Sequence, residues 1–237
     1  MKAIILAAGK GSRLGSITSN FPKPMICYKG KPILEHNIEL CKTYGIKDIY
    51  INLHHHPEHV TSYFGNGENW GVNITYNFEE ILLGTAGAVK NIFKKHNLLA
   101  DYKKKNEPFF VIYGDNFSNC DLSALFNLTT IQNCIASIAF HFRKDVSASG
   151  VAEFNNFNQI IKFIEKPKVG TTNSNWVNAG IYNLNTKILE HIPDGISDFS
   201  YDIFPKLLNL NIPIYGLLEN TEVLAFDTLE LLEKNSK

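Results

Sequence analysis

The most constraining feature of the chain is a short apolar run that leads directly into a loop containing glycine. Residues 2–6 (Lys-Ala-Ile-Ile-Leu) have the composition of a buried strand in a parallel sheet. Gly9 and Gly11 follow, and because they lack side chains the backbone can turn tightly and aim its N–H groups at an anion. Arg13 and Lys23 add two positive charges. The segment therefore predicts a polyphosphate site at the carboxyl end of a strand.

Length and composition predict one globular domain of 237 residues with a sizeable core. Lys+Arg and Asp+Glu both number 23, and this zero net charge argues against a nucleic-acid partner. No apolar run reaches about 18 residues and no signal peptide is recognised, so we expect a cytoplasmic protein without a membrane partner. The cysteines are too far apart for a metal or redox pair, and we expect reduced packing residues at these positions: Cys27, Cys41, Cys120 and Cys134.

Strand-like and helix-like segments alternate through the first half of the chain. This β-α-β-α order predicts an α/β fold of Rossmann-like type, with a mixed, mostly parallel sheet flanked by helices. The second half has strands without long helices between them. The predicted strands are 46–53, 72–78, 108–113, 134–142, 148–154, 159–165, 176–184, 213–217 and 223–226, and the predicted helices are 33–44, a short one through Tyr63 and Phe64, one running to Lys95, 121–128, 201–208 and 228–234.

Two aspartates each follow an apolar strand. Asp115 comes after 108–113, and Asp227 comes after 223–226. Either residue alone is more often a cap or a turn residue. Two carboxylates that meet at one sheet edge can hold Mg²⁺, which uses one or two protein carboxylates and completes its coordination with phosphate oxygens and water. The pair therefore predicts a magnesium site.

Other nucleotide-binding motifs are missing. The sequence from Gly9 through Gly11 to Leu14 lacks the third glycine of the dinucleotide fingerprint, and there is no Gly-x4-Gly-Lys-Ser/Thr segment. Both absences argue against a dinucleotide-dependent oxidoreductase and a P-loop enzyme.

Two segments allow two interpretations each. In the run from His54 to His59, His55 and His59 could share a helix face and bind a metal, but no Cys, Asp or third well-spaced ligand joins them. The favoured interpretation is therefore a polar strand end and helix start. The small residues Gly84-Thr85-Ala86-Gly87 either admit a ligand or form a tight packing contact.

Several of these motifs together resemble one enzyme family. Leu6-Ala-Ala-Gly-Lys-Gly-Ser-Arg-Leu14 with Pro22-Lys23-Pro24 closely resembles the signature of the sugar-1-phosphate nucleotidylyltransferases, or nucleotide-sugar pyrophosphorylases. The resemblance continues, in order, through Gly84-Thr85-Ala86-Gly87, Gly114-Asp115, Glu165-Lys166-Pro167, Asn178-Ala179-Gly180 and Asp227. It implies the nucleotide-diphospho-sugar transferase fold in a single domain 1–237, with a nucleotide-binding half at about 1–130 and a smaller sugar-phosphate-binding lobe at about 131–237.

The resemblance also implies a reaction and a set of site residues. A sugar 1-phosphate would attack the α-phosphorus of a nucleoside triphosphate and release pyrophosphate, with Mg²⁺ as cofactor and no general base. The implied catalytic residues are Arg13, Lys23 and Asp115, and the implied metal ligands are Asp115 and Asp227. The implied nucleotide contacts are Leu6, Ala7, Ala8, Gly9, Gly11, Glu80, Gly84 and Thr85, and the implied sugar-phosphate contacts are Gly150, Glu165, Lys166 and Asn178.

The substrate is implied less sharply than the reaction. The segments 83–88 and 52–55 look most like guanylyltransferases for mannose 1-phosphate or D-glycero-D-manno-heptose 1-phosphate, and 113–116 favours the heptose type. Alternatives are a uridylyl-, cytidylyl- or thymidylyltransferase, or a non-catalytic subunit that senses a nucleotide sugar.

Compact members often have Gly-Thr-Pro-Glu one residue after the second aspartate, whereas Thr228-Leu229-Glu230 stands here. The number of copies in a homo-oligomer, if one forms, is left open.

Overall fold

The computed structural model describes residues 1–11, 14–15, 21–100, 107–219 and 222–226. The described residues fall into two compact units that are interleaved along the chain. The first unit contains 1–82, 111–119 and 222–226, and the second contains 83–110 and 120–219. This division reflects packing, and the assignment of a nucleotide half and a sugar-phosphate half stays a prediction.

The first unit is built on parallel strands. β1 (Lys2–Leu6) pairs with β4 (Asp48–Leu53), and β4 pairs with β5 (Asn73–Phe78), in both cases in parallel. α1 (Ile33–Thr43) precedes β4, and α2 (Pro57–Phe64) connects β4 to β5. Because the strands run in the same direction, the residues that follow them gather at one edge of the sheet, where ligands of open parallel sheets bind.

Two small antiparallel pairs complete the first unit. β2 (Cys27–Tyr28) pairs with β3 (Lys31–Pro32), and β7 (Asn116–Ser118) pairs with β13 (Val223–Ala225). The side chains that bury these short strands form one cluster: Leu14, Ile26, Tyr28, Ile33 and Phe226. β7 is absent from the sequence prediction because three residues are too few to show a period. The predicted helix 228–234 lies outside the described residues.

The second unit contains a mixed arrangement of strands. β11 (Trp176–Leu184) pairs antiparallel with both β8 (Ala136–Phe142) and β9 (Gly150–Phe154). β10 (Ile160–Glu165) is antiparallel to β9, whereas β12 (Ile214–Leu218) is parallel to β8. The predicted class, a mixed and mostly parallel sheet flanked by helices, is confirmed. β6 (Phe109–Tyr113) is shared between the units. It begins in the second unit and ends in the first.

Helix starts follow local capping chemistry. α4 (Leu122–Ile131) begins after Asp121, whose side chain accepts hydrogen bonds from two backbone N–H groups of the first turn. The helix predicted at 201–208 starts earlier, as a π-helical turn at Phe199–Ile203 that continues into α5 (Phe204–Asn209). This earlier start is set by Asp198, whose carboxylate accepts from the Ser200 and Tyr201 N–H groups. α3 (Gly84–Lys95) and a 3-10 helix, Thr186–Glu190, also belong to this unit.

The helices and the cysteines of the described ranges bear on two expectations, that no segment spans a membrane and that the cysteines are reduced. No helix there is both long and apolar enough to cross a bilayer. All four cysteines are free. Cys41, Cys120 and Cys134 are buried, as expected of packing residues, whereas Cys27 is exposed, so the packing prediction is wrong at that position. Burial raises the pKa of the Cys41 thiol to about 12, so this thiol stays protonated and unreactive at neutral pH.

His141 makes the stability of the fold depend on pH. It is buried in β8, and burial, aided by the charge of Arg143, lowers its pKa to about 4. In the unfolded chain an imidazole titrates near 6.5. Between these two values the unfolded state binds more protons than the folded state, so stability falls as the pH is lowered through this window.

We expect the free energy of unfolding to drop by roughly 1–2 kcal/mol more in the wild type than in His141→Gln between about pH 7 and pH 5. Urea unfolding at both pH values, followed by circular dichroism, measures this difference. Equal losses in the two proteins would show that His141 does not carry the effect.

Candidate active site

The most distinctive contact among the predicted catalytic residues is an ion pair between Lys23 and Asp115. The Lys23 ammonium lies 2.5 Å from Asp115 Oδ2, and the lysine side chain is 5% exposed, against 31% for the aspartate. Burial of an ammonium group is costly unless an opposite charge compensates it. The pair therefore joins a buried cation to a carboxylate that still reaches solvent, within the first unit.

Local backbone structure holds both members of this pair. Lys23 begins a 3-10 helix, Lys23–Met25, between two prolines that restrict its backbone. Asp115 follows Gly114, whose N–H donates to the Leu6 carbonyl at 2.9 Å. A Cβ atom on Gly114 would lie 3.0 Å from that same carbonyl oxygen. Glycine at 114 thus lets the chain before Asp115 come close to the end of β1.

The glycine loop after β1 contains two glycines in different situations. Gly11 has a positive φ of 62°, a conformation that favours glycine. Gly9 has no positive φ, and a Cβ atom at this position would meet no described protein atom within 4 Å. Packing within the described fold therefore does not explain a glycine at position 9. Close approach of a ligand to the backbone would explain it. Ala7 and Ala8 are buried, and Leu6 is the last residue of β1.

A buried polar chain, which sequence reasoning missed, supports the start of this loop. The Ala7 N–H donates to Asn52 Oδ1 at 2.8 Å, and Asn52 Nδ2 donates to Glu79 Oε1 at 2.9 Å. Asn52 is 3% and Glu79 7% exposed. A polar residue between the apolar Ile51 and Leu53, at the end of the strand, is the sequence signal that could have revealed Asn52. Glu80, which the resemblance assigned to the base, is exposed.

Three of the predicted sugar-phosphate residues lie side by side on adjacent strands of the second unit. Glu165 on β10 is paired with Gly150 on β9. Val177 on β11 is paired with Val151, and the antiparallel register then places Asn178 level with Gly150. A Cβ atom on Gly150 would lie 2.6 Å from Glu165 Oε2, so glycine at 150 leaves room for this carboxylate where it lies in the described conformation.

The surroundings of these residues are polar but crowded. Burial raises the pKa of the Glu165 carboxyl, and the nearby Asp198 charge adds to the rise while Lys166 opposes it. Asn178 Nδ2 donates to the Tyr182 hydroxyl at 2.8 Å, and Asn178 Oδ1 accepts from the Gly180 N–H at 2.9 Å. The second bond fixes the side chain of Asn178 where β11 bulges away from β8.

Lys166 is the cation of this second group. It is exposed and has a positive φ of 48°, which is unusual for a residue with a side chain. Its N–H donates to the Ser149 carbonyl at 3.1 Å, and its ammonium lies 5.8 Å from the centre of the Tyr201 ring. The unit thus presents a solvent-accessible ammonium group directly after Glu165, which can bind a phosphate.

The small residues at the start of α3 have a packing role. The Ala86 and Gly87 N–H groups both donate to the Ser197 carbonyl, at 3.0 and 3.1 Å, and Thr85 Oγ1 donates to Asp198 at 2.7 Å. A Cβ atom on Gly84 would lie 2.4 Å from the Ser197 carbonyl oxygen. The tight-contact interpretation of this segment therefore holds, and nucleotide contacts of Gly84 and Thr85 stay predictions.

Two predicted residues, Arg13 and Asp227, lie outside the described residues. The neighbourhood of Asp115 is nevertheless informative about the chain before Asp227. β13 pairs Ala225 with Asn116, the residue after Asp115, and Phe226 is fully buried. The strand that precedes Asp227 is therefore anchored beside the strand that follows Asp115.

The chain belongs to the nucleotidyl transferase family, whose profile matches residues 2–222. It is 36% identical over 229 residues to a UTP–glucose-1-phosphate uridylyltransferase of Synechocystis sp., with 92% of this chain and 58% of that protein covered. It is 32% identical over 209 residues to mannose-1-phosphate guanylyltransferase 1 of Arabidopsis thaliana, with 87% of this chain and 56% of that protein covered. The family resemblance drawn from the motifs is thereby confirmed.

A solved structure shows the same fold. A protein of Bacillus anthracis, described as a glucose-1-phosphate thymidylyltransferase and solved in complex with a sucrose, matches with a TM-score of 0.86 at 27% identity. The match covers 100% of this chain and 94% of that one. By contrast, the chain spans less than three fifths of the length of the curated relatives named above.

Gly84 offers a test of the packing role of its segment, because Gly45 is a matched control. Both glycines have nearly the same positive φ, +73° and +71°, but a Cβ atom on Gly45 would meet nothing within 4 Å. We expect Gly45→Ala to cost about 1–2 kcal/mol of stability from backbone strain. We expect Gly84→Ala to cost about 1–3 kcal/mol more, because its Cβ atom overlaps a carbonyl oxygen.

Urea unfolding of the two variants measures the difference. Equal destabilisation would mean that the 195–198 segment moves aside at no cost, and would contradict the assignment of Gly84 to close packing.

Proposed function

We propose that the chain carries the catalytic domain of a sugar-1-phosphate nucleotidylyltransferase. The oxygen of the sugar 1-phosphate attacks the α-phosphorus of a nucleoside triphosphate, the bond from that phosphorus to the bridging oxygen breaks, and pyrophosphate leaves. The observation that carries the proposal is the buried Lys23 ammonium held on Asp115, in the unit that also contains the open position at Gly9. Membership of the nucleotidyl transferase family supports the same reaction class.

Lys23 is suited to neutralise charge on the transferred phosphate. Phosphoryl and nucleotidyl transfers depend on positioning and on charge stabilisation, because the protein has little covalent chemistry to perform. A buried ammonium acts in a medium of low dielectric constant, where its effect on a developing negative charge is larger than in water. In this proposal the loop from Leu6 to Gly11 binds the nucleotide phosphates and Arg13 contributes the second cation.

Asp115 and Asp227 are the residues proposed to hold Mg²⁺. Asp115 fits the ion, because it is a partly exposed carboxylate that already neutralises one cation, Lys23. The strand before Asp227 is anchored beside Asn116 through the pairing of β13 with β7. When bound, Mg²⁺ would supply charge neutralisation to the phosphates. Lys23, freed from part of its attraction to Asp115, would then be available to the α-phosphate.

The row Glu165, Gly150 and Asn178 is proposed to bind the sugar, and Lys166 its phosphate. A carboxylate and an amide on adjacent strands accept and donate the hydrogen bonds that sugar hydroxyls need. Lys166 is exposed and follows Glu165 directly, so one short segment supplies groups for both the hydroxyls and the phosphate. No general base is assigned, because a phosphate monoester is already an anionic nucleophile.

For the nucleobase we propose guanine, and for the sugar a manno-configured 1-phosphate, either mannose or D-glycero-D-manno-heptose 1-phosphate. The exposed carboxylate of Glu80 supports guanine, because a carboxylate accepts hydrogen bonds and guanine offers two adjacent donors on its Watson–Crick edge. The relative from Arabidopsis thaliana is named for the same pair of substrates. UTP with glucose 1-phosphate is the second candidate, favoured by the higher identity to the uridylyltransferase of Synechocystis sp..

Pyrophosphate release tests the proposal. The purified chain is incubated with Mg²⁺, each of GTP, UTP, CTP and dTTP, and a panel of sugar 1-phosphates. We expect turnover with one nucleotide clearly above the others, and GTP with a manno-configured sugar phosphate as the best pair. Binding of a nucleotide, seen as thermal stabilisation, without turnover on any pair would instead support a sensing subunit.

The catalytic roles of Lys23 and Asp115 are tested by substitution. We expect Lys23→Ala and Asp115→Ala each to lower kcat at least about a hundredfold, because each removes a charge that acts on the reacting phosphates. Lys94→Ala is the matched control, since Lys94 is an exposed lysine paired only with the exposed Asp194 in the contacts described. Near-normal kcat in both site variants would refute the assignment.

A further inference from the structure

We propose that His56, Glu58 and His59 form a binding site for a borderline transition-metal cation, and that the site favours Zn²⁺. The site is a second cation site, built from two imidazoles and one carboxylate. It does not depend on the proposed transferase activity, and it concerns a segment that the sequence interpretation assigned to a polar strand end.

The ligand atoms are already close together. One ring nitrogen from each histidine and one oxygen of Glu58 all lie within 4.8 Å of one another. His56 Nδ1 lies 3.0 Å from Glu58 Oε1. In a tetrahedral zinc site with bonds of about 2.0–2.1 Å, neighbouring ligand atoms are about 3.3 Å apart. Rotation of surface side chains can therefore bring this trio to zinc distances without moving the backbone.

The backbone explains why these three residues converge. α2 begins at Pro57, so Glu58 and His59 stand in its first turn, and His56 precedes it as the N-cap residue. His56 has a left-handed conformation, with φ at 47°, and its Nδ1 lies beside Glu58 Oε1 of the first turn. A residue with a side chain adopts this conformation at a cost, and such strain is often kept where a functional site needs it.

The histidine run lies at a strand end and a helix start, as the sequence predicts, but the geometry changes which histidines could share a metal. The sequence pairs His55 with His59, as residues four apart on one helix. Because the helix starts only at Pro57, His55 is not part of it, and the ring that approaches His59 belongs to His56, with ring centroids 5.9 Å apart. The third candidate ligand is Glu58. A pattern of residues three or four apart on a helix does not include it, because Glu58 is next to His59 in the sequence.

The composition of the site selects the metal. Two nitrogen ligands and one oxygen suit Zn²⁺ and its neighbours such as Co²⁺ and Ni²⁺, whereas Mg²⁺ and Ca²⁺ prefer oxygen ligands only. The Glu58 side chain is 62% and the His56 side chain 32% exposed, so a metal ion can reach both from solvent. Three protein ligands leave one position of a tetrahedron to water.

The position of the site suggests what the metal would do. His56 lies in the connection between β4 and α2, and His59 lies in α2 itself. Just before it in that connection, His54 Nδ1 lies 2.8 Å from the Glu79 carbonyl oxygen. A metal bound by His56 and His59 would cross-link the connection to the helix and stabilise the folded state by mass action.

Isothermal titration of the untagged, metal-free full chain with ZnCl₂, in excess MgCl₂, tests the proposal. We expect one Zn²⁺ per chain, a rise in the unfolding temperature, and an affinity at least about tenfold weaker in each of His59→Gln and Glu58→Gln. The matched control is His191→Gln, a histidine outside the cluster, for which we expect wild-type binding. Circular dichroism confirms that each variant is folded.

Co²⁺ absorption gives a second, independent measurement. Intense visible d–d bands on the wild type that disappear in Glu58→Gln and His59→Gln would support a four-coordinate site at these residues. Absence of one-to-one Zn²⁺ binding to the wild type, or equal binding by the wild type and all variants, would overturn the proposal.

Discussion

The contact on which the proposed chemistry depends is the ion pair between Lys23 and Asp115. An ammonium group this deeply buried needs an opposite charge to offset the cost of its desolvation, and the Asp115 carboxylate supplies one. The pair can form only because two distant segments are each placed with little freedom. Prolines on both sides fix the turn that carries Lys23, and Gly114 lets the chain before Asp115 approach β1. Formation of the ion pair therefore also depends on the contact between Gly114 and the end of β1.

The atoms around each glycine show whether packing requires a residue without a side chain at that position or whether a bound ligand would explain it better. At Gly84 and Gly114 an added Cβ atom would meet a backbone carbonyl oxygen at 3.0 Å or less, so packing alone accounts for them. At Gly9 no described atom stands in the way. Motif matching gives all of these glycines the same weight, whereas the structure leaves Gly9 as the position where a ligand is the better explanation.

Much of the fold could be predicted from the sequence, because its elements carry local signals. β11 has the predicted bounds, 176–184, and α4 begins within one residue of the predicted start at 121. Contacts between distant segments could not be predicted in the same way. The approach of Ser197 to Gly84 and the bond from Asn52 to Glu79 join residues far apart in the chain, and no period or motif shows them. The grouping of His56 with Glu58 was missed because it depends on where α2 begins.

The interleaving of the two units has a consequence for synthesis and folding. The first unit contains the start of the chain, yet it includes β13, whose partner β7 lies about a hundred residues earlier. On the ribosome, β7 must wait for that partner until all of the second unit has emerged. Pairings of such long sequence separation carry a high loop-closure entropy and form slowly. The strand that leads to Asp227 is thus among the last to be placed, and the nascent chain already holds Lys23 and Asp115 long before then.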